Sequence, residues 1–125
     1  MKRKIETPNA PSAIGAYSQA IEMNGMLFIS GQIPINPTNS QIVNGGIREQ
    51  TQQVMQNIGA ILKASGYEFH HIVKCTCLLK NLEGFQVMNE VYGSYFTENP
   101  PARAAFEVAR LPKDVLIEID AIAIK

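Results

Sequence analysis

The segment Val115-Leu116-Ile117-Glu118-Ile119-Asp120-Ala121-Ile122-Ala123-Ile124 decides the fold. Successive side chains on a strand point to opposite sides. One face is therefore wholly apolar: Val115, Ile117, Ile119, Ala121 and Ala123. The other carries Leu116, Glu118, Asp120, Ile122 and Ile124. The first face predicts a strand packed under helices. The second is half apolar and cannot lie bare, and such a face resembles an oligomer interface.

Working outward, Ala102 to Ala109 reads as the preceding strand, joined through Leu111-Pro112-Lys113-Asp114. A hairpin pairing Arg110 with Val115 would set Glu107 opposite Glu118, Ala105 opposite Asp120 and Arg103 opposite Ile122. Arg103 would then share a face with Glu118 and Asp120. Two directly opposed glutamates are unfavourable unless solvated or paired, so this register contains a conflict.

Two helical stripes lie further upstream. Ile47, Thr51, Val54, Met55, Ile58, Ile61 and Leu62 recur at the 3.6-residue period, and Gly66 fits the position after the last turn. Phe85, Met88, Tyr92, Tyr95 and Phe96 form the second stripe, over Leu82 to Phe96, with Asn81 as N-cap and Asn99-Pro100-Pro101 as stop. Between them Ile72 to Lys80 reads as a strand, with Val73, Cys75, Cys77 and Leu79 on one face. Asn24-Gly25 joins Ala20–Met23 to Met26–Ser30 in a hairpin, since both turn residues tolerate positive φ. Lys4 to Glu6 fits a short edge strand, while Thr7 to Gly15 and Ile35 to Gly46 read as loops. The expectation is a single α+β domain over residues 1–125, a mixed β-sheet with two helices on one face.

The chain has 125 residues, 46% of them hydrophobic and only 18% charged, with 11 basic and 11 acidic side chains. Zero net charge and the lack of a basic stripe argue against nucleic-acid binding. No apolar run approaches the ~20 residues needed to span a bilayer. Lys2-Arg3-Lys4 is not followed by an apolar stretch, so no secretory signal is read and the expected location is the cytoplasm. Cys75 and Cys77 read as core cysteines. With His70 and His71 they lack a recognised ligand spacing, so no metal site is expected.

Arg103 follows Pro100-Pro101 at the start of a strand. Either it pairs with Asp120, or its planar guanidinium is a clamp for a ligand carboxylate. Four ordered blocks bear on that choice. They are Ala10-Pro11-Ser12-Ala13-Ile14-Gly15-Ala16-Tyr17-Ser18-Gln19-Ala20, Ser30-Gly31-Gln32-Ile33-Pro34, Asn89-Glu90-Val91-Tyr92, and Pro101-Ala102-Arg103-Ala104-Ala105-Phe106 followed by Ile117-Glu118-Ile119. Together they resemble the RidA (YjgF) family of reactive-intermediate deaminases, over essentially the whole chain.

The resemblance implies a chorismate-mutase-like fold and a homotrimer, with the sheets as an inner barrel, the helices outside and a site in each intersubunit cleft. It implies hydrolysis of 2-iminobutanoate, 2-iminopropanoate or their enamine tautomers to 2-oxo acids and ammonia, without a cofactor. Small 2-imino and 2-oxo acids are the implied ligands. Arg103 matches the carboxylate-binding arginine and Glu118 the acid that holds or activates water. Tyr17, Ser30, Gly31, Asn89 and Ala105 match substrate-binding positions. Many relatives have Ser-Cys where this chain has Ala104-Ala105, and proline where it has Ala16. A ligand-sensing trimer acting through a partner protein, and a ribonuclease or translation inhibitor, are the alternatives attached to the same family.

Overall fold

The Asn24-Gly25 turn forms as expected. In the computed structural model, which describes residues 1–125, Asn24 has φ 52° and Gly25 φ 76°. The turn joins β2 (Ala20–Met23) to β3 (Met26–Gln32), and β1 (Arg3–Ile5) adds antiparallel to β2. The segment expected to be loop contains a two-stranded ribbon, β4 (Ile35–Asn36) with β5 (Gln41–Ile42). Helix α1 (Ile47–Ser65) buries Val54, Met55, Ile58, Ile61 and Leu62. It stops at Gly66, whose φ of 81° lets the chain reverse. The Tyr67 N–H then returns to the Leu62 carbonyl at 2.9 Å.

Strand β6 (Ile72–Leu79) follows, then α2 (Phe85–Gly93), β7 (Ala102–Glu107) and β8 (Ile117–Ile124). Helix α2 is shorter than its apolar stripe. Asn81 caps a tight 3-10 turn at Leu82–Gly84, accepting from Glu83 N–H at 2.9 Å. Tyr95 and Phe96 pack on the core from tight turns beyond Gly93.

The expected hairpin between β7 and β8 does not form. The sheet order is β1-β2-β3-β8-β6-β7. Strand β7 pairs in parallel with β6, Arg103 opposite Cys75 and Ala105 opposite Cys77. Helix α2 supplies the crossover that a parallel pair requires. Strand β8 pairs antiparallel with β3 on one side and β6 on the other. A strand with one continuous apolar face is best satisfied there, between two neighbours. The arrangement also removes the Glu107–Glu118 clash: Glu107 instead accepts from Leu82 N–H at 2.9 Å.

Both helices cover one face of this mixed sheet, where Leu27, Ile29, Cys75, Cys77, Leu79, Ile117, Ile119, Ala121 and Ala123 are buried. Phe28, Thr76, Leu78, Glu118, Asp120, Ile122 and Ile124 lie on the open face. A register shift between Ile72 and Lys74 inserts an extra residue into β6. It buries Ile72 and exposes Val73, the reverse of simple alternation.

Candidate active site

Arg103 lies on the helix-covered side of β7. It does not share a face with Glu118 and Asp120, because its partner strand is β6 and its partner residue, Cys75, faces the helices. Helix α2 presents Phe85, Asn89 and Tyr92 at i, i+4 and i+7, hence on one side. The guanidinium sits 5.3 Å from the Phe85 ring centre and 4.9 Å from that of Tyr92. Its Nη1 donates to Asn89 Oδ1 at 2.6 Å. Pairing with Asp120 is ruled out: Asp120 Oδ1 accepts instead from Thr76 N–H at 3.2 Å. The four ion pairs of the chain involve other residues. A guanidinium held by a neutral acceptor and two aromatic faces keeps its charge for a ligand.

The Tyr92 hydroxyl is buried without a hydrogen-bond partner. Burial is the main cause that pushes its pKa far up, with the Cys75 and Cys77 thiols adding to it. The thiols are raised too, to about 11 and about 12, again chiefly by burial. Neither thiol is a nucleophile at neutral pH. Tyr92 thus serves Arg103 through its ring. Tyr92→Phe is expected to leave stability unchanged or raise it by up to about 1 kcal/mol in urea denaturation, because an orphaned hydroxyl is removed. A loss of that size would show the hydroxyl to be partnered.

The second group of residues gathers around a bulge in β3. Ile29 pairs with Ala121 and Gln32 with Ile119, so β3 spends one residue more than β8. The extra residue falls at Ser30-Gly31, where the Glu118 side chain crosses from β8. A β-carbon added to Gly31 would lie 2.9 Å from Glu118 Cδ and collide with its carboxylate. Glycine lets that carboxylate lie where it does, and a larger residue would displace it. Tyr17, Ser30, Gly31, Ile33, Pro112 and Glu118 line one open cleft. Burial first, and the nearby Asp120 second, raise the pKa of Glu118 above the ordinary 4.5.

Ser30 turns out to be a tether. Its hydroxyl donates to the Ser18 carbonyl at 2.6 Å and fixes the Tyr17 loop to β3. Gln19 does more of this work, although the sequence patterns above do not single it out. It is only 3% exposed. Its Nε2 donates to the carbonyls of Thr7, Ala10 and Pro11, and its Oε1 accepts from Thr7 N–H at 2.7 Å. The available signal was a glutamine beside an apolar strand start, downstream of a Pro-rich loop with no ladder of its own. Gln19→Leu is expected to cost about 2 kcal/mol, since it strands buried backbone groups. Urea denaturation would measure it, and a change below about 0.5 kcal/mol would show the loop to be held otherwise.

The structure therefore brings Tyr17, Ser30, Gly31 and Glu118 together, and separately Asn89 and Arg103 beside Ala105. Within one chain the two groups occupy opposite faces of the sheet, with β6 between their strands.

This sequence matches the family model described as endoribonuclease L-PSP over residues 7–125. It is 48% identical over 125 residues to human 2-iminobutanoate/2-iminopropanoate deaminase, spanning all of this chain and 91% of the human one. The chain belongs to the YjgF/RidA family. Another relative is a RutC family protein of Pyrococcus horikoshii, 58% identical across 100% of this chain and 99% of its own. Among solved structures, E. coli TdcF with bound serine superposes with a TM-score of 0.94 at 40% identity, over 98% of each chain. The sheet order and helix placement described above are thus those of a RidA-family protein. No helix is long and apolar enough to cross a membrane.

Proposed function

We propose that the protein hydrolyses 2-imino acids, 2-iminobutanoate and 2-iminopropanoate among them, to 2-oxo acids and ammonia, in clefts shared between the subunits of a homotrimer. The observation that carries this reading is Arg103, a guanidinium fixed on a strand with no carboxylate from its own chain. The second support is the separation of the two groups of residues. The open sheet face, with Phe28, Phe106 and Ile124 exposed, offers the surface through which copies would associate. Association can set Arg103 of one subunit against Gly31 and Glu118 of the next.

The chemistry then follows from the groups. Arg103 takes the substrate carboxylate in its planar fork, assisted by the backbone N–H of Gly31. The adjacent C=N carbon is already electrophilic when the nitrogen is protonated. A water held by Glu118 attacks it: a C–O bond forms while the water's proton passes to Glu118. Glu118 returns that proton to the nitrogen; the C–N bond then breaks, ammonia leaves, and Glu118 takes the remaining hydroxyl proton as the C=O bond forms, releasing it afterwards to solvent. The step consumes only water and needs no cofactor. Asn89 and Tyr92 keep the guanidinium in place, and Tyr17 closes one side of the cleft.

Ala105 supports water as the nucleophile. It stands half-buried at the core edge opposite Cys77, and its methyl group offers no nucleophile. Its backbone remains to serve the site. Ala105→Cys should change kcat/KM by less than about tenfold, or ~1.4 kcal/mol. A larger gain would implicate a thiol.

The decisive assay adds the purified protein to a serine dehydratase reaction that releases 2-aminoacrylate. Pyruvate should form faster than by spontaneous hydrolysis, and unchanged rates would overturn the reading. Sedimentation should give three times the 13.8 kDa chain mass. A monomer would overturn the shared cleft. A nuclease role finds less support: the net charge is zero. The His70 and His71 rings lie 4.1 Å apart at a tilt of 43°, and His71 Nδ1 already accepts from Glu68 N–H.

A further inference from the structure

We propose that the Gly31–Glu118 cleft continues into an apolar subsite that selects 2-imino acids with branched apolar side chains over the three-carbon substrate. The inference rests on the imine-hydrolase reading and adds a specificity to it. A second hollow adjoins the cleft and shares Tyr17, Gly31, Ile33 and Pro112 with it, then extends to Ile14 and Ile35. Lys113 is the one charged side chain along this extension.

The geometry of the substrate fixes what can enter. Its reactive carbon is planar and has three substituents. The carboxylate is assigned to Arg103, and the nitrogen leaves near Glu118. The side chain must take the remaining direction, and the apolar extension opens from the same Gly31 wall.

Ile14 supplies the second argument. It is 80% exposed at the tip of the Tyr17 loop. Its backbone N–H donates to the Tyr17 hydroxyl at 3.4 Å, so the two residues form one wall. Ser30 and Gln19 anchor that loop from below. An isoleucine held out to solvent on a tethered loop makes sense if it closes over an apolar group. Each methylene buried there is worth about fourfold in affinity. Three extra carbons, half-buried, give about tenfold.

Titration calorimetry with stable product acids tests this without turnover. The whole protein should bind 4-methyl-2-oxopentanoate at least fivefold more tightly than pyruvate, and more tightly than 2-oxoglutarate. Ile14→Ser, a change at an exposed position, should cut the preference over pyruvate by at least half. A smaller preference in the native protein, tighter binding of 2-oxoglutarate through Lys113, or a preference that survives Ile14→Ser overturns the subsite. The imines generated from leucine and alanine by an amino acid oxidase complete the comparison. No hydrolysis of either, with the binding order intact, would remove the deaminase reading and leave the subsite. Hydrolysis of both without preference would do the opposite.

Discussion

Arg103→Ala is expected to lower kcat/KM for 2-iminopropanoate by ~10³-fold or more, equivalent to about 4 kcal/mol of lost binding in the transition state. The size follows from what is removed. In the proposed reading a fork of two charge-assisted hydrogen bonds from a rigid strand holds the substrate carboxylate. Stability should hardly move. The side chain is only half-buried, and it gives up one hydrogen bond to Asn89 and its contacts with Phe85 and Tyr92. Arg103→Lys should recover little, because an ammonium has neither the planar fork nor the same stacking on the two rings. Steady-state kinetics beside a sedimentation profile make the measurement. Retained imine hydrolysis in a correctly assembled Ala variant would sink the assigned role.

Glu118→Gln is the second large effect. The amide keeps the shape of the carboxylate over Gly31 but cannot take a proton. A positioned general base contributes roughly 10²–10⁴-fold, so kcat should fall within that range. Binding of a 2-oxo acid should fall much less, because the carboxylate clamp is elsewhere. Equal losses in both would make Glu118 a wall of the pocket only. The pH profile adds a separate test. Burial and Asp120 both favour the protonated form of Glu118, so its pKa lies above the ordinary 4.5. The base works when ionised. Activity should therefore fall as pH drops through that raised value, and the acid limb should vanish in Glu118→Gln.

The parts of the fold set by local rules were legible from residues alone. Helix α1 needed only its apolar stripe and Gly66, and the β2–β3 hairpin needed Asn24-Gly25. The placement of β7 was not legible in that way. Alternation states which side chains share a face, but it cannot state which strand lies alongside. A short turn at Leu111–Asp114 favoured a hairpin, while the crossover through α2 put β7 against β6. A β7–β8 hairpin would put Arg103 on the open face of the sheet, whereas the pairing with β6 puts it on the helix-covered face. The opposed Glu107 and Glu118 were the available warning. Of the candidate site, Arg103 and Glu118 were named on their chemistry and family resemblance. Gln19 and the tethering role of Ser30 depend on the path of an irregular loop, which has no period to read.

Strand β8 follows the other strands of the sheet in chain order, yet it sits between β3 and β6. The chain leaving the ribosome therefore cannot close its sheet until Ile117–Ile124 emerge. Everything before them is two unjoined halves, with the inner edges of β3 and β6 unpaired. Glu118 arrives on the same strand that completes the fold. A prematurely terminated chain thus lacks the closed sheet and Glu118 together, and cellular proteolysis meets it with two strand edges open rather than as a folded but inactive chain.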